Sequence, residues 1–518
     1  MLGHIGSTII AANDGDPNAY IWFYAWWPHA ILNGLNPFIT NVIFAPAGFN
    51  LTWATSVPAP SLLMTPVTLA FGPVATFNVL ALVAPTACAF SAFLLCRHLT
   101  RATAPAFVGG YIFGFSPYMI HTLQGAPNLY LVALAPLMVL FVIRRVQGSV
   151  TERTFLIFIT LAVALQFLTS FEILFTVTFF GGTMLLVSLA LLPEYRSSLI
   201  RTAQLLSAAY VAAGVVVSPI LFYMAFRDHV APNQANSGFA LDLLSPVLPD
   251  SSLEVAPSHL VGGTPSYYGG LSYLGIPLVT IFLVCGWQYR RNRGVRLLGI
   301  ALVIPAVASL GGRLMIRGMP TVVGLPWGLF ASLPGLDRAI PQRFAVFTFL
   351  GAAMLVATWL SLRGSRARWG LALLAVAFIL PNVGNRTLRY TLSSEPALLA
   401  SGHYREHVRA DDRVLVFPIL DGQRWQAQAG FGFRLVGGGV GALPPSYARY
   451  PIFETLMFGS VLPPDYAHQL RRFMVDKGAA TVLVDRRVAG SWTRKLFGSL
   501  GVNPVNIDGF VMYRLRSG

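Results

Sequence analysis

About ten apolar runs, each long enough to cross a bilayer as a helix (roughly 17 to 25 residues), constrain this chain more than any other feature. They fall near 74–96, 104–120, 126–143, 153–170, 171–192, 200–226, 268–287, 295–311, 343–362 and 369–385. Paired glycines and a Ser-Pro step, as in Gly109-Gly110 and Ser218-Pro219, interrupt some of them, which neighbouring helices in a bundle tolerate. With 55% hydrophobic and 11% charged residues and a mean hydropathy of +0.63, a water-soluble enzyme is excluded. Disorder, collagen-like repeats and coiled coil fail on the same numbers.

The formal charge of +16 does not point to nucleic acid, because the arginines sit in short clusters between apolar runs. Arg97/Arg101, Arg144/Arg145/Arg153, Arg196/Arg201, Arg290/Arg291/Arg293/Arg296 and Arg363/Arg366/Arg368 occupy every second connection. Lys and Arg in short loops favour the cytoplasm. The alternation therefore predicts that residues 1–73, 227–267, 312–342 and everything after about 386 lie on the other face. Residues 1–12 are too short and too polar to span, so this topology also predicts a first transmembrane helix encoded upstream of residue 1. Cys88, Cys96 and Cys285 lie in apolar stretches without metal-ligand or disulfide spacing.

Two short stretches do not fit a span. Pro17–His29, dense in Trp and Tyr, predicts a helix lying in the membrane interface. Residues 58–72, with Pro58, Pro60 and Pro66, predict a re-entrant or interfacial helix. From about Ser394 charges become frequent and the pattern changes to that of a soluble α/β domain. Strands are predicted at Arg413–Ile419, Ala479–Arg486 and Val511–Leu515, with helices near 463–477 and 490–500. The expected organisation is an α-helical polytopic membrane module over 1–393 and a soluble α/β domain over 394–518.

Candidate chemistry is concentrated on the outer face. Asp14 and Asp16, separated by Gly15 and followed by Pro17, can reach one acceptor hydroxyl or one divalent cation. Asp16 can equally be a helix N-cap, with Pro17 at the first helical position. Glu172 stands at the outer junction of two apolar runs, where a carboxylate marks either a polar cavity or an interfacial side chain facing water. Arg313, Arg317, Arg338 and Arg343 depart from the positive-inside bias. Their planar forks suit a phosphate group, and snorkelling at helix ends is the alternative. Asp242 and His259 lie in a 227–267 loop more polar than a mere connection requires, and Trp22 and Trp26 are further cavity candidates. Phosphate-loop, zinc-protease, hydrolase and dinucleotide motifs are absent from the sequence.

The order of these features resembles the GT-C glycosyltransferases: an outer acidic stretch, an aromatic helix, many spans and an outer C-terminal domain. Several segments are similar to a group of bacterial inner-membrane proteins of this type. They include Asn36-Pro37-Phe38, Phe49-Asn50-Leu51, Ser116-Pro117-Tyr118, Leu241-Asp242-Leu243-Leu244, Leu325-Pro326-Trp327 and Pro341-Gln342-Arg343-Phe344. The likeness spans about residues 14–350. Two places depart from that pattern: Gly125-Ala126-Pro127 stands where Gly-His is expected ahead of Asn128-Leu129, and no glutamate precedes Tyr273-Leu274-Gly275.

The resemblance implies transfer of a sugar from a polyprenyl-phosphate carrier to a glycan, lipid or protein acceptor of the cell envelope. It implies a bacterial inner membrane location with the C-terminal domain in the periplasm. Asp16 would be the base, Asp14 would hold the acceptor or a divalent cation, and Arg338 and Arg343 would bind the donor phosphate. The competing readings are a transporter or flippase of lipid-linked glycans and a non-catalytic envelope assembly protein.

Overall fold

The computed structural model describes residues 6–11, 13, 15–227, 239–256, 270–333, 336, 338–382, 389–459 and 461–515. The chain divides into two units: one comprises Met1–Val79, Ser218–Asn233 and Arg389–Gly518, the other Leu80–Val217 and Gln234–Leu388.

The second unit is a helical bundle. Among the described residues of the chain, seven helices are long and apolar enough to cross a membrane: Pro73–Thr100, Pro127–Val146, Glu152–Thr169, Phe171–Leu191, Pro193–Val216, Gly270–Gln288 and Pro341–Leu362. Runs predicted near 104–120, 295–311 and 369–385 are also helical, as Thr103–Gly114, Arg293–Ser309 and Arg366–Phe378, but shorter. The 200–226 run breaks at Val217 ahead of Ser218-Pro219, because proline removes a helix donor and clashes with the preceding turn. Chain and solvent-facing surface fit a multi-pass membrane protein. Leu186, Val211, Leu283 and Trp287 are all exposed, an arrangement that water disfavours and lipid does not.

Ala345–Leu362 runs through the middle of the bundle, buried along nearly all of its length, and packs against Thr103–Gly114 and Arg293–Ser309. Small residues permit the close approach. A Cβ on Gly109 would stand 2.8 Å from the Ala353 carbonyl oxygen, and one on Gly351 would stand 2.8 Å from Leu302 Cα. Such backbone proximity is how membrane helices gain packing energy without a hydrophobic driving force.

The five arginine-bearing connections are bonded to one another. His98 meets Gln147 at 2.8 Å, and Glu152 pairs with both Arg145 (3.0 Å) and Arg201 (2.7 Å). Glu194 pairs with Arg293 at 3.3 Å, and Arg368 donates to Gln288 at 2.6 Å and to Tyr289 at 3.1 Å. The alternate connections picked out by charge thus gather at one end of the bundle.

The first unit contains a five-stranded mixed sheet. Thr481–Asp485 lies centrally, and Arg413–Phe417 beside it runs parallel to both Thr481–Asp485 and the edge strand Arg434–Leu435. Phe510–Arg514 runs antiparallel to Thr481–Asp485 and carries the edge strand Val505–Ile507. The helices Tyr466–Lys477 and Ser491–Gly498 form where the apolar spacing predicts them. In the same unit, Thr8–Ile9 pairs antiparallel with Tyr390–Thr391.

The aromatic helix, Gly15–Leu32, also belongs to this unit and is not an interfacial helix. Tyr20, Ile21, Trp22, Phe23, Tyr24, Trp26 and Trp27 are buried in protein. The helix Ile419–Gln428 packs on it, and Trp22 Nε1 donates to Gln426 Oε1 at 2.9 Å. Trp26 donates to the Pro37 carbonyl at 3.0 Å and Trp27 to that of Ser56 at 2.9 Å. Satisfied indole N–H groups remove the reason for these rings to seek a water interface. Residues 58–72 form two short helices, Pro58–Leu63 and Thr65–Phe71.

Candidate functional site

In the helical bundle, Ser170 caps the helix Phe171–Leu191 by accepting the Ile173 amide at 3.3 Å. This cap sets Glu172 in the first turn. Its carboxylate accepts a hydrogen bond from Arg343 Nη1, in the short turn Pro341–Phe344 that leads into Ala345–Leu362. Both side chains are about three-quarters buried, at 25% and 27% exposure. Trp327 and Phe180 pack edge-on to Phe344, with centroids 4.6 and 5.2 Å away, and so hold the turn that presents Arg343.

The bonding capacity around this pair is not used up. Among the described residues the other Glu172 oxygen is enclosed without a hydrogen-bond partner, as is Oε1 of Gln342, next to Arg343 in the chain. Tyr118, fully buried, lies within electrostatic reach of Arg343 and Glu172. A guanidinium has five donors, and buried polar atoms without partners are costly unless water, an ion or a substrate completes them. Chemically the cluster can bind a phosphate oxygen.

The other sequence candidates have different surroundings. Asp242 is buried, and both its oxygens serve backbone amides: Oδ1 accepts from Leu244 at 2.9 Å and Oδ2 from Gly318 at 2.8 Å. It anchors the turn of the hairpin formed by Arg313–Ile316 and Met319–Gly324. Arg338 is exposed. Asp14 and His259 lie outside the described residues. Trp22 and Trp26 are buried, their rings stacked at 5.3 Å, with Phe431 edge-on to both. Among the described residues no group of three metal-ligating side chains is brought together.

Asp16 belongs to the first unit, exposed in the first turn of Gly15–Leu32. The helix opens with the Gly15 amide donating to Asn13 Oδ1 at 3.0 Å, which puts Asp16 inside the first turn and not at the N-cap. Two residues on, Asn18 is buried and accepts from Arg424 Nε at 2.7 Å. Arg424 also pairs with Asp421 at 2.6 Å and donates to Ser393. Burial pushes the nearby Glu395 carboxyl up, and Arg424 draws it partly back.

Sequence reasoning did not anticipate this cluster, nor His121, whose Nδ1 stands 4.0 Å from Asp250 Oδ2 in the bundle. Tyr118 sat in a stretch already singled out, Ser116-Pro117-Tyr118, without a role of its own.

No protein-family model and no curated protein matches the chain. Solved structures do. The archaeal oligosaccharyltransferase AglB from Archaeoglobus fulgidus, in complex with an inhibitory peptide and a dolichol-phosphate, superposes with a TM-score of 0.51 at 12% identity over 91% of this chain. The apo form of the Archaeoglobus fulgidus oligosaccharyltransferase gives 0.50 at 13% identity, again over 91%. The chain spans 65% and 66% of those two proteins' lengths. ArnT from Cupriavidus metallidurans in the apo state gives 0.45 at 12% identity, covering 97% of this chain and 94% of that one. The chain shares the fold of these two oligosaccharyltransferase structures.

Proposed function

We propose that the protein is a membrane glycosyltransferase that moves a sugar from a polyprenyl-phosphate carrier to a cell-envelope acceptor. The observation that carries this reading is the Arg343–Glu172 pair, three-quarters buried at a helix start, in which the second Glu172 oxygen has no hydrogen-bond partner among the described residues. In one of the structures with the same fold, a dolichol-phosphate is bound, a lipid phosphate of the class proposed for this chain.

The chemistry is an inverting displacement. The acceptor oxygen attacks the sugar C1, Asp16 takes the acceptor proton, and the bond from C1 to the phosphate oxygen breaks. Polyprenyl phosphate departs with the electron pair. Arg343 and Arg338 stabilise the negative charge that grows on the phosphate, an electrostatic role that dominates many such steps. Asp14 orients the acceptor or holds a divalent cation. The alternation of arginine-rich connections favours the cytoplasm for them and so supports a periplasmic side for Asp16 and residues 394–518.

The test is incubation of the full-length protein in nanodiscs with a panel of labelled polyprenyl-phosphate sugars. Release of unlabelled polyprenyl phosphate with one donor, lost in the Arg343→Ala variant, is expected. Unchanged release in that variant would remove Arg343 from the donor site.

A further inference from the structure

The C-terminal sheet carries a cavity of about 340 Å³ that the transferase reading does not use. Its lining includes Arg486, Thr493, Arg494, Asn506 and Tyr513 and no acidic residue. Both arginines are exposed and neither forms an ion pair among the described residues. The acid next to Arg486 is already committed: Asp485 takes Arg487, with Nη2 to Oδ2 at 2.7 Å. Asp508, across the strand turn, pairs with His403 at 3.6 Å.

Tyr513 lines the cavity with most of its surface buried and its hydroxyl open to solvent. Arg494 is close enough to act on that phenol electrostatically.

We propose that this cavity binds a sugar bearing a phosphate or carboxylate group. The two guanidiniums supply the charge and the forked donors that such an anion takes. Asn506 and the Tyr513 hydroxyl supply neutral donors and acceptors for sugar hydroxyls. The volume lies at the small end of the roughly 300–1,000 Å³ range of small-molecule sites, suited to one monosaccharide unit and larger than a bare anion needs. The site does not depend on the transferase reading, because the Glu172–Arg343 cluster contributes nothing to it.

The experiment is titration of the full-length protein in phosphatidylcholine nanodiscs with glucose 1-phosphate, glucuronate and glucose, at low and high salt. We expect the two anionic sugars to bind, more weakly at high salt, and glucose not to bind. The exposed pair Arg486→Gln/Arg494→Gln should weaken binding at least about tenfold with an unchanged melting temperature, since each lost charge-assisted bond is strong. Tyr513→Phe should weaken it several-fold. A second arm adds phosphatidylglycerol to separate a lipid headgroup from a sugar. Equal binding of glucose, indifference to the double substitution, or binding of anionic lipid alone would overturn the proposal.

Discussion

Arg424 donates from Nε to Asn18 Oδ1 at 2.7 Å, joining the aromatic helix to the helix Ile419–Gln428 within one unit. The same guanidinium holds Asp421 at 2.6 Å with only 2% of its side chain exposed. Arg424→Ala would leave Asn18 Oδ1 without its donor and the buried Asp421 carboxylate with the Ser393 hydroxyl but no counter-charge, and breaking a buried pair costs about 3–5 kcal/mol. We expect a large fall in melting temperature, with Arg424→Lys recovering little because an ammonium cannot reproduce the planar fork. A wild-type melting temperature in the alanine variant would contradict this.

Arg343 is tied to stability as well as to donor binding, because Glu172 accepts its hydrogen bond. Arg343→Ala is expected to cost on the order of 2 kcal/mol by stranding the carboxylate. The neutral pair Arg343→Gln/Glu172→Gln should regain most of that stability and still fail to bind a polyprenyl-phosphate donor. Thermal unfolding and donor titration of both variants distinguish the two roles. Restored donor binding in the double variant would count against a phosphate-binding arginine.

Asp242→Asn removes one of two carboxylate oxygens that accept backbone amides at 2.8 and 2.9 Å. We expect a loss of about 1–2 kcal/mol and faster hydrogen exchange at Gly318, without a change in donor affinity. A selective loss of donor affinity would instead give Asp242 a place in the site.

Lys477 lies over the Tyr447 ring at 3.6 Å, and burial lowers its ammonium from 10.5 to about 8. The folded state therefore holds this proton less tightly than the unfolded chain. Its contribution to stability is complete above about 10.5 and is lost as the pH falls through about 8. Wild-type protein should gain melting temperature relative to Lys477→Met between pH 8 and 10. A parallel pH profile for the two proteins would contradict the lowered value.

The sequence makes the spans legible because long apolar runs have few alternative fates, and it makes Arg413–Phe417, Thr481–Asp485 and Phe510–Arg514 legible through compact apolar strands. It hides Ile419–Gln428, whose Asp421, Gly422, Gln423, Arg424 and Gln426 look like a solvated turn. Arg424 and Gln426 are buried because they bond to Asn18 and Trp22, some 400 positions away. The same distance effect misdirects the aromatic helix: Trp22 and Trp26 look interfacial until Gln426 and Phe431 are known to cover them. Glu172 and Arg343 are each visible as charges out of place, but their pairing across 171 positions is not.

Asp16 is proposed as the base of a glycosyl transfer, and one side-chain change tests it. Asp16→Asn keeps the shape and the exposed first-turn position and costs the helix about 0.3–1 kcal/mol of dipole interaction. It also removes the basic oxygen, a loss worth on the order of 100- to 10,000-fold in rate. The measurement is the turnover of a labelled polyprenyl-phosphate sugar by wild-type and Asp16→Asn proteins matched for folding and donor binding. Transfer by the wild type and a fall to background in the variant are expected; near-normal turnover in the variant would contradict a general base at Asp16.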